Sequence, residues 1–299
     1  MLGRVLAIEA LQKKADKKAI EAITEALNSD AFHGVRSVAA EALKEISKDD
    51  ARGALLASLD QENAKARLAV VRAVASYFHE SIPAQLIALL DDEVNALIAG
   101  PAIVGLAPYH TPEVEATLLE ELRSDSHSQI RSIASFTAMQ KQRNPKYIAP
   151  LISRLTEAGE LYESRDYGTA LRVLGTLASD EEDKEEVREF ISSHLSNPKD
   201  TIMTAAVSAL GILNDPKAIA VLETFDVGKE ENPKRKAVQK ALTDLKSGQK
   251  PDANIKTLRE DFLEIQKQNR EMQEQFDEMK KRLDAQDEGE EGEESEDAA

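Results

Sequence analysis

The residues able to do chemistry are few and far apart. There are five histidines and no cysteine, so thiolate zinc sites, thiol nucleophiles and disulfides are excluded. A zinc-hydrolase helix needs two histidines one turn apart with a glutamate between them, so that both imidazoles reach the metal and the carboxylate activates water. The one His-Glu pair is His79-Glu80-Ser81-Ile82-Pro83, and Pro83 stands where the second histidine would be. His33, His110, His127 and His194 fall in or beside connections, which fits surface or capping roles better than ligation. No Gly-x-Ser-x-Gly elbow, P-loop or dinucleotide fingerprint occurs. The acidic pairs Asp49-Asp50, Asp91-Asp92 and Glu120-Glu121 sit at helix ends, where carboxylates usually cap or face water. The sequence predicts no catalytic residue, no metal, no cofactor and no enzyme activity of its own.

The elements that must position any site are helices. In 299 residues there are 13 Gly and 10 Pro, no Trp, and only 4% aromatic residues, a composition poor in helix breakers and in the large side chains of a single globular core. A segment typified by Val35-Arg36-Ser37-Val38-Ala39-Ala40-Glu41-Ala42-Leu43 recurs along the chain, its Arg slot falling at positions 4, 36, 67, 99, 131, 167, 203 and 235. Successive spacings are 32, 31, 32, 32, 36, 36 and 32, and a period of this size marks a stacked repeat. Before each marker lies a second segment of helical period, such as Ala19, Ile20, Ile23 and Leu27 on one face. Each unit is thus a helix pair, and a pair buries its apolar face only by stacking on its neighbours. The expected architecture is all-α: residues 1–247 form an α-solenoid of seven full pairs after an initial unpaired helix. Ala39, Ala42, Leu43, Ala134, Leu174, Ala209 and Leu210 are expected in its core. Because the pattern opens on a second helix, the chain is expected to be cut from, or to pack beneath, something larger.

This pattern resembles HEAT repeats, whose second helix opens with an apolar-Arg pair and runs on into Ala and Leu. Tetratricopeptide repeats share the period, but their Trp/Tyr signature is missing. A narrower likeness lies in Asp30-Ala31-Phe32-His33-Gly34-Val35-Arg36 followed by Ala39-Ala40-Glu41-Ala42-Leu43. That stretch resembles the HEAT-like carboxy-terminal region of bacterial zinc-dependent alanyl aminopeptidase-like proteins. The resemblance implies an alternative function, as an accessory domain of such a metallopeptidase whose catalytic zinc domain lies outside this chain.

The recurrent arginines (Arg4, Arg36, Arg67, Arg131, Arg235) read either as an anion ladder or, better, as ties to carboxylates and carbonyls of the adjoining loops. The positions one, five and eight after each marker lie opposite the Ala/Leu stripe, on the face that lines the concavity of HEAT-like stacks. There Leu68, Val104, Phe136 and Met139 form an apolar strip flanked by Arg72 and Arg172, a docking surface for a protein or peptide. The alternative is that curvature buries these side chains against neighbouring helices.

After a linker at 248–254 the period changes. Leu258, Phe262, Ile265, Asn269, Met272, Phe276, Met279 and Leu283 continue a heptad series over residues 255–283. It predicts a coiled coil that pairs two copies weakly, with Asn269 setting the register; the alternative is a helix folded back as a cap. Residues 284–299 carry nine acids and no base and read as a disordered acidic tail. The net charge is −17 and no basic stripe follows a phosphate track, so no nucleic acid is expected. No apolar run is long enough for a membrane span, so a soluble, cytoplasmic protein is expected.

Overall fold

The computed structural model describes residues 1–126, 129–225 and 233–248. Among these the backbone forms an all-α solenoid, with no strand. An opening helix, α1 (Leu2–Lys14), precedes the pairs α2 (Lys17–Ser29) with α3 (His33–Ile46), α4 (Asp49–Leu56) with α5 (Ala64–Val74), and α6 (Ile82–Asp92) with α7 (Ala96–Gly105). There follow α8 (Pro112–Leu122) with α9 (Ile130–Gln142), α10 (Ile148–Ala158) with α11 (Ser164–Leu177), α12 (Glu185–Ser192) with α13 (Asp200–Leu213), and α14 (Lys217–Thr224) with α15 (Pro233–Gly248). Met1–Leu245 make one compact unit; of a second, which begins at Lys246, the described residues 246–248 are the end of α15.

Local chemistry sets the helix ends. Asp16 accepts the Ala19 N–H at 2.8 Å, Asn63 those of Lys65 and Ala66, Asn95 that of Leu97, and Thr111 that of Val114, with Pro112 in the first turn. Each satisfies a donor that the first helical turn leaves open. Four second helices end on a left-handed residue, Ala15, Ser47, Arg143 and Asn214, with φ of 49°, 53°, 53° and 52°. That reversal turns the chain into the next pair. The two 36-residue spacings are accounted for by insertions outside the helices: 3₁₀ turns at Pro145–Tyr147 and Gly159–Leu161 in one interval, and a longer connection over 178–184 in the other.

First helices bury their periodic face, as with Ile20, Ile23 and Leu27 of α2, against second-helix residues such as Val35, Ala39 and Leu43. All seven residues expected in the core are buried. At roughly 1.5–3 kcal/mol for each large aliphatic side chain removed from water, this face holds each pair together. The second helices also pack on one another, α3 on α5, α5 on α7, α7 on α9, α9 on α11 and α11 on α13. Small residues allow the closest approach. A methyl group at Gly175 would lie 2.6 Å from the Ala209 carbonyl oxygen, and one at Gly168 would lie 2.7 Å from the Ala205 Cβ. Gly53, on the exposed side of α4, has nothing within 4 Å of such a methyl.

Gly-to-Ala substitutions in these two helices are therefore expected to differ in sign. Gly53→Ala should stabilise by about 0.5–1 kcal/mol, the usual gain of helix propensity. Gly175→Ala gains the same propensity but must push α11 from α13 backbone, a distortion of about 1–3 kcal/mol, so it should destabilise. Urea unfolding of both variants checks this, and stabilisation by Gly175→Ala would mean that α11 and α13 are not in close contact at Gly175.

Candidate functional site

The outward face of the second helices is assembled from one or two turns of each helix. On α5 it carries Leu68, half-buried against the core, and the exposed Arg72; on α7 it carries Pro101 and the half-buried Val104. On α11 Arg172 is half-buried and its Nη2 donates to Thr169 Oγ1 at 2.9 Å. These four of the six expected residues (Leu68, Arg72, Val104, Arg172) reach the surface.

Phe136 and Met139 do not. Both are completely buried in the core, which corrects their assignment to the docking strip. On α9 the partly exposed series is Ile133, Thr137 and Gln140, one residue on from the expected 132, 136 and 139. One residue is a 100° rotation of the helix. Two inward serines pin it there. Ser132 donates its hydroxyl to the Leu122 carbonyl at 2.8 Å and also meets the Tyr162 hydroxyl, and Ser135 donates to the Leu118 carbonyl. Both serines are fully buried, and the Phe136 ring tilts against that of Tyr162 with centroids 6.1 Å apart. Two serines three residues apart look like a solvent face in sequence; here they satisfy carbonyls of α8. Along the corrected face Gln140 Nε2 donates to Thr176 Oγ1 at 3.4 Å, joining α9 to α11. Beyond Arg172 a shallow depression of about 380 Å³ is lined by Asp200, Thr201, Thr204 and Ser208.

The recurrent arginines tie the units together. Arg4 pairs with Asp30 at 3.2 Å. Arg36 Nε donates to the Asp30 carbonyl at 2.6 Å and its Nη1 to Gln61 Oε1 at 3.3 Å. Arg67 donates to the Gln61 carbonyl at 2.6 Å and to Glu93 Oε2 at 2.6 Å. Arg131 donates to the Glu93 carbonyl at 2.8 Å, to the Leu90 carbonyl at 3.1 Å and, bidentately, to Glu121. Burial alone would raise the Glu93 carboxyl, but the Arg67 hydrogen bond, the Asn95 N–H and the Arg131 charge outweigh it and hold the group below the usual carboxylate range. Asp215 shows the same balance: burial is overcome by Arg188, at 2.5 Å, and by the Lys217 N–H. Arg36, Arg67 and Arg131 are engaged between units, and Arg4, though half exposed, is paired with Asp30; the four do not form an anion-binding ladder.

A second set of ties was missed by sequence reasoning. All five tyrosines are hydrogen-bonded. Tyr77 donates to the Leu43 carbonyl at 3.0 Å, and Tyr109 donates to the Tyr77 carbonyl at 3.2 Å while accepting the His79 N–H at 3.0 Å. Gln142 donates to the Tyr109 carbonyl at 2.7 Å and accepts from Tyr147, whose phenol is pushed up to about 12 by burial with the Glu115 charge adding to it. Tyr162 meets Ser132 and accepts from Arg154, and Tyr167 bonds His194 Nε2 at 2.7 Å. The signal was present as the 32-residue spacing of Tyr77 and Tyr109.

Residues 3–75 match the family model described as HEAT repeats. No curated protein matches the sequence. Among solved structures, human deoxyhypusine hydroxylase in complex with glycerol is 13% identical, with 80% of this chain and 98% of that chain covered and a TM-score of 0.34. An engineered protein is 16% identical, with 77% and 97% covered and a TM-score of 0.37. At these scores neither transfers a residue, substrate or cofactor to this chain. Nothing in the comparisons points to the aminopeptidase resemblance of residues 30–43.

The expectation that the chain is not an enzyme is corrected: it rested on missing motifs alone, and a protein named as a hydroxylase is among the matched structures, at a score that carries neither an activity nor its absence to this chain. Missing motifs exclude only the chemistries those motifs encode. Among the described residues no three of His, Asp or Glu converge as metal ligands would. His79 Nδ1 meets the Ser81 hydroxyl at 2.9 Å, and His127 lies outside the described residues. So do the heptad positions Leu258, Phe262, Ile265, Asn269, Met272, Phe276, Met279 and Leu283, with residues 249–254 of the linker and the acidic tail; Gly248, expected in the linker, ends α15. Among the described residues no helix is long and apolar enough to cross a membrane.

Proposed function

We propose that this chain is a protein-interaction scaffold that holds a protein or peptide segment on the outward face of its second helices. The observation that carries the reading is the side-by-side packing of α5, α7, α9 and α11, which sets partly exposed Leu68, Val104 and Ile133 between Arg72 and Arg172. Apolar groups rimmed by arginines are the pattern of an interface hot spot. Pairing of two copies through residues 255–283 belongs to the same reading and rests on the heptads alone.

The test is affinity capture from cells of the source organism with the intact chain and with Arg72→Glu/Thr137→Arg/Arg172→Glu. All three positions are at least partly exposed, so the circular dichroism melt should be unchanged. Partners retained by the wild type are expected to bind the variant at least about tenfold more weakly. Equal retention by both would remove this face as the binding surface.

A further inference from the structure

The first-helix side of the stack carries a different feature. Between α4 and α6, first helices of successive units, runs an open groove of about 550 Å³. Its apolar lining includes Leu56, Leu59, Leu89 and Val94. α4 ends after eight residues and continues as a turn over 57–60, whereas α6 has eleven, so the wall on the α4 side falls away. Val94 is 96% exposed and Leu97, three residues on, 62% exposed, a large apolar area for a connection to leave in water.

Apart from Arg67, the charged groups of the groove are all acidic. Asp60 and Asp92 line it, and Glu62 and Asp91 stand exposed beside them in the chain. None of the four forms an ion pair among the described residues. The one cation in the lining, Arg67, is engaged by Glu93 and by the Gln61 carbonyl. Apolar walls and an acidic rim without ion pairs are complementary to one kind of chain.

We infer that this groove binds a basic amphipathic peptide segment, in which two large apolar side chains one helical turn apart enter the groove while flanking lysines or arginines pair with Asp60 and Asp92. Apolar side chains supply the affinity, and the acidic rim selects cationic flanks over acidic ones. The site is separate from the second-helix face and does not rest on the scaffold reading above.

The test uses the full chain and a fluorescein-labelled, 14-residue helical peptide with two leucines at i and i+4 and lysines flanking them, titrated by fluorescence anisotropy at physiological salt. A matching peptide with glutamates for the lysines is the control. Binding is expected for the lysine peptide alone. Asp60→Asn/Asp92→Asn and, separately, Val94→Asp should each weaken it at least about tenfold. Asp180→Asn/Glu182→Asn makes the same change in net charge far along the chain and should leave it unaltered. No binding, equal binding of the glutamate peptide, or equal weakening by the two double variants would overturn the proposal, the last because attraction to net charge would then suffice. The Arg72/Thr137/Arg172 variant should bind the lysine peptide normally, so failure of one surface is distinguishable from failure of the other.

Discussion

Replacing Phe136 by alanine is expected to cost about 3–5 kcal/mol of stability, while replacing Thr137, the next residue, costs no more than about 0.5 kcal/mol. Phe136 is completely buried against Tyr162, so its loss leaves a cavity that Ser132 and Ser135, fixed to α8 carbonyls, prevent the helix from closing. Thr137 is partly exposed and its hydroxyl donates to the Ile133 carbonyl of its own turn at 2.7 Å. Met139→Ala should resemble Phe136→Ala, at about 2–5 kcal/mol, because it too is fully buried. In a stack whose stability is a sum of unit and neighbour terms, the loss should centre on α8 to α11, and amide hydrogen exchange should localise it there. The check is urea unfolding of the three variants beside wild type. If Thr137→Ala were the costly one and Phe136→Ala nearly silent, α9 would be rotated as the repeat register alone implies, and Phe136 would return to the surface.

That contrast marks how far the sequence could be read. The period placed the helices because helix pairs must repeat to bury a shared face, and residues such as Ala39, Leu43, Leu174 and Leu210 follow from it directly. It also placed Arg4, Arg36, Arg67 and Arg131 where each meets an adjoining loop. Rotation of a single helix is a finer matter. In α9 it is decided by whether two serines find carbonyls inside the stack, and nothing local to Ile130–Gln142 says that Leu118 and Leu122 will offer them. The tyrosine ties are hidden for a similar reason, since a phenol that bonds a helix end about 30 residues away leaves no mark on the hydrophobic period. The markers that lack arginine differ among themselves: Tyr167 takes the slot and bonds His194, whereas Ala99 and Met203 are buried there as apolar packing. The acidic groove needs α4 to stop short, a difference of one turn that the period absorbs without trace.

The second large effect is expected at Arg131. Its side chain is mostly buried, and it is the bidentate partner of Glu121, whose side chain is 7% exposed; it also caps the carbonyls of Leu90 and Glu93. Arg131→Met keeps the packing of the stem but strands a buried carboxylate and two carbonyls, a loss of about 3–5 kcal/mol. The double variant Arg131→Met/Glu121→Gln should recover a good part of that loss, because the uncompensated charge is gone, and the cycle isolates the pair from the rest of the network. Acid gives an independent reading. In the wild type the Glu93 carboxyl is held below the usual carboxylate range, partly by the Arg131 charge, so its contribution is complete above the ordinary glutamate value of about 4.3 and is lost as pH falls through its folded value. Without Arg131 the depression lessens and less stability remains to be lost on acidification. The gap between wild type and Arg131→Met, measured by urea unfolding, should therefore narrow between pH 7 and pH values below about 4.3. A gap that stayed constant over that range would assign the effect to lost packing and not to charge compensation across the units.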